Sequence, residues 1–184
     1  MTAMTVSNIA ARVVLTLMAP GRDEEFAEML EEFRAAGENH AYTGDMAIAW
    51  QGYSEYYALL SRMKVGGYPR PDTVPMDSYF IEADGQILGE IFIRHRLSPR
   101  LEQRGGHVGY KVRPSCRNQG VASAALRLAL KKLAALGIER ALVTCREANA
   151  ASARVIEKCA GLRIEDSFVD NHIERRYLVP TASS

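Results

Sequence analysis

The chain has 184 residues, 47% of them apolar and 24% charged, with a net charge of +1. That length suits one domain able to bury a real core, and the balanced charge argues against the basic stripe of a nucleic-acid binder. No apolar run, Val13 to Ala19 included, is long enough to cross a bilayer. The N-terminus lacks a signal-peptide pattern, so the expectation is a cytoplasmic protein, one domain over 1–184 with an ordered core from about residue 11 to 179. Cys116, Cys145 and Cys159 are odd in number and form no CxxC pair, which excludes a complete internal disulfide set and argues against structural zinc. Cys116 stands beside Arg113 and Arg117 and is a weak candidate nucleophile.

In chain order, Ala11–Met18 reads as a strand closed by Pro20-Gly21. From Arg22 to Ala36, Phe26, Met29, Leu30 and Phe33 recur at helical spacing, with Glu24, Glu28, Glu31 and Glu32 on the opposite face. Tyr42 to Tyr53 is irregular and aromatic. "SEYYALLSRMKV" follows as a helix with Ser54 as candidate N-cap; Gly66-Gly67 ends it, and Pro69, Pro71 and Pro75 stiffen the connection beyond. The period then changes to two, and "SYFIEADGQILGEIFIRHRL" predicts a hairpin turning at Asp84-Gly85. A strand "GHVGYKVRP", a helix burying Leu126, Leu130 and Leu133, a strand "ERALVTCRE" and a helix opened by Asn149 come next. A last hairpin turns at Asp170-Asn171. The order predicts a mixed α/β sheet of about seven strands with helices on both faces.

The stretch "RPSCRNQGVASAALRLAL" runs from a strand into a helix beginning near Gln119 or Gly120. The first N–H groups of a helix lack internal partners and carry the positive end of its dipole, so with Arg117 they make an anion site. A Walker loop is excluded because no lysine follows Gly120 in the turn. A dinucleotide fingerprint is excluded because no early G-x-G-x-x-G exists. A plain turn with solvated arginines is the bland alternative.

"RNQGVA" fits the R/Q-x-x-G-x-G/A signature of the GNAT superfamily of acyl-CoA-dependent N-acyltransferases, with Ala122 in place of the final glycine. "GYKVRP" precedes it at the spacing of the family's cofactor-binding strand, and "NAASARVIEKCAG" resembles the family's second signature. Residues 78–165 carry the resemblance in their motifs, and the rest by topology; "RHRLSPRL", "GGHVGYKVRPS" and "TCREANAAS" resemble a group of bacterial predicted acetyltransferases. The resemblance implies a GNAT fold with a mixed, mostly antiparallel twisted sheet, and an N-acetyltransferase that uses acetyl-CoA and no metal. Its pyrophosphate would lie on main-chain N–H groups of Arg117, Asn118, Gln119, Gly120, Val121, Ala122 and Ser123. The pantetheine arm would pair with Val112 and Arg113, with the Val112 N–H aimed at the thioester oxygen, while Asn149 and Ser152 would face it from the neighbouring helix. Homodimers are common in the family. A non-catalytic acyl-CoA-binding module is the alternative reading, and an enzyme for a longer acyl-CoA a third.

Amine acylation needs a proton acceptor and a group to protonate the departing thiolate. Many family members place a tyrosine just before E-K in the second signature; Ile156 stands there and cannot donate. His107 is the leading candidate base, since its ordinary pKa suits transfer near neutrality, with a structural histidine as the bland alternative. Glu90 and His95 come second, although Glu90 and Arg94 could simply pair on one strand face. Tyr177 and Tyr79 are candidate acids, and Tyr110 reads as core. The resemblance puts the acceptor wall at the first two helices and the final hairpin, where the glutamates above with Trp50, Tyr53, Tyr56 and Tyr57 would suit a cationic amine, although a solvated acidic face with partly core aromatics is the favoured reading of the same residues. The acceptor itself, whether small amine, amino acid or protein N-terminus, stays open.

Overall fold

A computed structural model describes residues 8–38, 46–49, 51–67 and 72–181. A 3-10 turn at Ile9–Arg12 leads into β1 (Val14–Leu17), α1 (Asp23–Ala35), α2 (Met46–Ala49) and α3 (Tyr53–Lys64). Then come β2 (Met76–Ala83), β3 (Gln86–Arg94), α4 (Pro99–Gln103) and β4 (Val108–Val112). After a 3-10 turn at Pro114–Cys116 the chain continues as α5 (Val121–Ala135), β5 (Arg140–Arg146) and α6 (Ala150–Lys158). It closes with β6 (Leu162–Arg163), β7 (Ser167–Val169) and β8 (His172–Pro180).

The apolar periodicities decide the layers. α1 buries Phe26, Met29, Leu30 and Phe33, and α3 buries Tyr53, Tyr56, Leu59 and Leu60. All of these but Leu59 pack with Phe80 and Phe92 on one face of the first sheet. α5 presents Leu126, Ala129, Leu130 and Leu133 to the other face, against Ile81, Ile91, Ile93 and Val108. Alternate residues of β3 thus enter different cores, which explains why it reads as a nearly continuous apolar run.

The eight strands, close to the about seven expected, form two antiparallel sheets. The first has the order β1-β2-β3-β4; in the second β8 pairs with β5, β6 and β7. The two meet at one end of β4. There the His107 N–H donates to the Leu142 carbonyl at 2.7 Å, and the Leu142 N–H donates to His107 Nδ1 at 2.9 Å. Gly106 makes the approach possible: a Cβ there would lie 2.3 Å from the Leu142 carbonyl oxygen. Beyond this junction β4 and β5 form no ladder among the described residues, and a cleft opens between them.

Both hairpins turn where the sequence predicts. Asp84 and Gly85 have φ of 52° and 79°, and Asp170 and Asn171 have 49° and 65°, the paired left-handed conformation of a tight hairpin turn. Three expectations are corrected. β1 is shorter than Ala11–Met18 because Ala11 and Arg12 wind into the 3-10 turn. The N-cap of α3 is Gly52, so Ser54 sits inside the first turn. The sequence reading also missed α4, whose N-cap Ser98 accepts from the Leu101 N–H at 3.4 Å. Tyr42, Trp50, Pro69 and Pro71 lie outside the described residues.

Candidate active site

Strand alternation sets the chemistry of the cleft wall. The Arg94 N–H donates to the His107 carbonyl and the Arg113 N–H to the Leu88 carbonyl, both at 2.8 Å. With the register Glu90↔Lys111 and Phe92↔Gly109 between them, the main-chain groups of Gly109, Lys111 and Arg113 face β3. Those of Val108, Tyr110 and Val112 therefore face outward, to the cleft. The Val112 carbonyl accepts from Arg117 Nε at 3.0 Å on that outer side.

β4 leads straight to the Gly120 turn. Gly120 caps α5 at φ 80° and ψ 0°, and the first helical bond is from the Ala124 N–H to the Gly120 carbonyl at 3.0 Å. From Asn118 through Ser123 no N–H donates to another main-chain group among the described residues. Such a run of N–H groups at the positive end of a fifteen-residue helix suits a phosphate. The cleft, about 1100 Å³, runs from this turn past Tyr110, Cys145 and Ser152 to Arg94, Arg100 and Arg104 at its other end.

A strand edge that opens onto a cleft and ends in an N–H-lined helix start fits the family signature read from the sequence. The model of the acetyltransferase (GNAT) domain family matches residues 12–161. The chain belongs to the GNAT acetyltransferase family. No curated protein matches it, but several solved GNAT structures share its fold. RimL, a ribosomal L7/L12 alpha-N-protein acetyltransferase solved with coenzyme A, aligns at 15% identity and TM-score 0.66 over 95% of this chain and 98% of its own. RimJ of Mycobacterium smegmatis, solved with CoA-disulfide, aligns at 20% identity and TM-score 0.67 over 91% and 80%. The microcin C7 self-immunity acetyltransferase MccE, solved with acetyl-CoA and AMP, aligns at 11% identity and TM-score 0.64 over 92% of each chain.

Against this GNAT frame, Val112, Arg117, Asn118, Gly120, Val121, Ala122, Ser123, Asn149 and Ser152 line the cleft. Arg113 and Gln119 do not. Alternation turns the Arg113 N–H into the β3 ladder, and its Nε donates to Glu32 at 2.7 Å. The Gln119 amide donates to the Ser115 carbonyl at 2.9 Å. Arg117 reaches the cleft but its guanidinium is held bidentately by Glu38, at 2.5 and 2.7 Å. Asn149 Oδ1 accepts from the Ser152 N–H at 3.0 Å, so Asn149 caps α6 from a place on the cleft wall. Arg154 and Lys158, one turn apart on α6, line the cleft beside the Gly120 turn's Ala122 and Ser123 and were missed; a basic pair at helical spacing was their only sequence signal.

The candidate proton carriers are rearranged. His107 is 8% exposed and absent from the cleft lining. Its Nδ1 already accepts from Leu142, and burial holds its pKa below the ordinary histidine value. It pins the sheets together instead of facing substrate. Glu90 is fully buried on the α1–α3 side, opposite Lys111, and its charge helps raise the pKa of the buried Tyr56 hydroxyl, after burial itself. His95 bonds Asp77 at 2.9 Å; Tyr177 donates to Glu157 at 3.2 Å, and Lys132 caps the ring of Tyr79. None of these lines the cleft. Ile156 is fully buried in the core, so the residue replacing the usual acid leaves the cleft altogether. The residues considered for an acceptor wall follow the favoured, structural reading: Tyr53 and Tyr56 are core, Glu31 pairs with Arg34, and Glu32 pairs with Arg113.

What the sequence reading missed is Glu174 on β8, 2% exposed, the one buried carboxylate among the described cleft-lining residues. Burial raises its pKa, while Arg104, Arg146 and Thr144 pull it back down; Arg104 Nε lies 3.3 Å away. Tyr110, read as core, faces the cleft with its hydroxyl 2.8 Å from Ser152 Oγ. Burial pushes the Cys145 thiol up to about 11, so it stays protonated. Among the described residues no helix is long and apolar enough to cross a membrane, and no three His, Cys, Asp or Glu side chains could hold a metal.

A pinning role for His107 has a measurable consequence. His107→Ala leaves the Leu142 N–H buried without its acceptor, which costs about 1–3 kcal/mol, so Tm falls while the pH–rate profile keeps its shape. Because the folded-state pKa is depressed, the wild-type protein loses stability as pH drops below about 6.5, where the unfolded chain takes up the proton first. Thermal melts between neutral and mildly acid pH check both points: the variant loses that part of the acid sensitivity.

Proposed function

We propose that the protein acetylates an amine by direct transfer from acetyl-CoA. One observation carries this reading: the outward main chain of β4 runs into the Gly120 turn, whose N–H groups from Asn118 to Ser123 bond no described main-chain group. The N–H groups of Asn118 to Ser123, with Arg154 and Lys158, would hold the cofactor's phosphates. Val112, Asn149 and Ser152 would line its pantetheine arm. Acetyl-CoA supplies an acetyl group activated as a thioester. The Val112 N–H then stands as a fixed donor for negative charge developing on the carbonyl oxygen.

Glu174 is the proposed base. A buried carboxylate with a raised pKa is closer in basicity to the proton it must accept than an exposed one. It would take the ammonium proton directly or through one water. Tyr110, held by Ser152, is the proposed donor to the departing thiolate.

Two measurements test the reading on the purified protein. Acetyl-CoA or CoA should raise Tm, and a panel of amines with acetyl-CoA should release free CoA thiol. A thermal shift with no thiol release from any amine would replace the enzyme with a non-catalytic acyl-CoA-binding module. No shift at all would remove the cofactor assignment.

A further inference from the structure

The cleft end away from the Gly120 turn carries charge beyond the residues proposed to hold acetyl-CoA. Arg94 from β3, Arg100 from α4 and Arg104 just after α4 all line it. Arg94 Nη1 donates to the carbonyls of Gly105 and Gly106 at 3.2 and 3.1 Å, fixing the loop that carries Arg104. The Gly105 N–H donates to Thr144 Oγ1 at 2.9 Å, which ties that loop to β5. Arg104 is shared between Asp170 on the outside, at 2.8 Å, and Glu174 within, at 3.3 Å.

Arg100 is different. Its exposed side chain makes no hydrogen bond or ion pair with any described residue, and it lines the same cleft as Arg94 and Arg104. The remaining acids at this end are Glu174, which answers Arg104, and the exposed Asp72. An exposed guanidinium without a partner among the described residues, at the cleft end away from the Gly120 turn, suits an oxyanion brought by the acceptor.

We propose that this mouth recognises a carboxylate or phosphate on the acceptor, so that the acetylated amine belongs to an anionic molecule. Arg100 supplies the contact that discriminates, and Arg94 and Arg104 hold the rigid frame around it. This deepens the acetyl-transfer reading and rests on it. It also reverses the cationic acceptor that the glutamates and tyrosines of α1 and α3 suggest in the sequence.

The test uses acceptors in matched pairs with acetyl-CoA: amino acids against their amides, aminoalkyl phosphates against the parent amino alcohols, and peptides with Asp against Asn after the first residue. The anionic member of at least one pair should win by about tenfold or more in kcat/KM, mainly through KM, the size of one charge-assisted contact. The winning pair identifies whether the anion is an amino-acid carboxylate, a phosphate or an acidic peptide side chain. Arg100→Glu should shrink that ratio to about twofold or less while the thermal shift from CoA stays as in the wild type. Equal or better use of the neutral members, or a preference that survives Arg100→Glu, overturns the proposal. Calorimetric titration of phosphate and succinate onto the CoA-saturated protein reads the mouth without turnover. Binding of either anion that Arg100→Glu abolishes supports recognition even if no amine is acetylated, and binding of neither overturns it.

Discussion

Glu174→Gln is expected to lower kcat by roughly 10²–10⁴-fold, the contribution of one positioned acid–base group, while the thermal shift produced by CoA stays unchanged. Glutamine keeps the size and most of the hydrogen bonding of the side chain, which matters because Arg104 and Thr144 both approach the native carboxylate. It cannot accept a proton at neutral pH. The wild-type acid limb of kcat/KM should follow the Glu174 carboxyl, which burial holds above the ordinary glutamate value. Activity therefore rises with pH through that raised midpoint, since the base works only when ionised. In the glutamine variant this limb disappears and residual turnover climbs with pH only as free amine is formed. If the limb remains, or if kcat changes less than about threefold against that range, the base lies elsewhere. A loss of the CoA shift in the same variant would mark Glu174 as structural.

The elements legible in the sequence were those whose cause is local. Phe26, Met29, Leu30 and Phe33 form one stripe, and all four are buried where α1 meets the sheet. Asp84-Gly85 and Asp170-Asn171 tolerate left-handed backbone, and both turns adopt it. The Gly120 turn was legible for the same reason, because its run of free N–H groups is made by consecutive main-chain residues entering α5. α4 was hidden because five residues carry too little periodicity.

Side chains whose role depends on a distant partner could not be placed from sequence. His107 looked like a base until Leu142, 35 residues on, proved to hold its ring. Glu174 lies in the run "HIERRY", whose alternation reads as a half-exposed strand. It becomes a buried cleft carboxylate only because β8 lies between β5 and β7 with Glu174 opposite both Arg146 and Ser167. The α1 glutamates looked like an acceptor wall because helical spacing shows a charged face but not what meets it. Glu32 meets Arg113 and Ser115, bracing the loop between β4 and α5.

Gly120→Val should weaken CoA binding by at least about tenfold, the equivalent of 1.4 kcal/mol, and abolish most of the CoA-induced rise in Tm. Gly120 sits at φ 80°, where a residue with a side chain costs roughly 1–2 kcal/mol, and a β-branched one is a severe outlier. A Cβ at this position would also lie 3.1 Å from the Ala10 methyl group, so the strain meets a neighbour as well as the backbone. The turn relieves both by rotating Gly120 out of the left-handed region. That movement carries the N–H groups from Asn118 to Ser123 with it, the groups proposed to hold the cofactor's phosphates. A lost glycine anywhere can lower stability, so the control has to carry the same backbone strain away from the cleft. Gly137, just after α5, has φ 79° and open space around its Cβ position. Gly137→Val should therefore lower Tm comparably and leave the CoA shift intact, because its strain is released at the far end of the helix. Wild-type CoA affinity in Gly120→Val would remove the phosphate assignment, and an equal loss of affinity in Gly137→Val would trace it to general destabilisation of α5. The expected result separates them: two variants of similar stability, one of which no longer holds CoA.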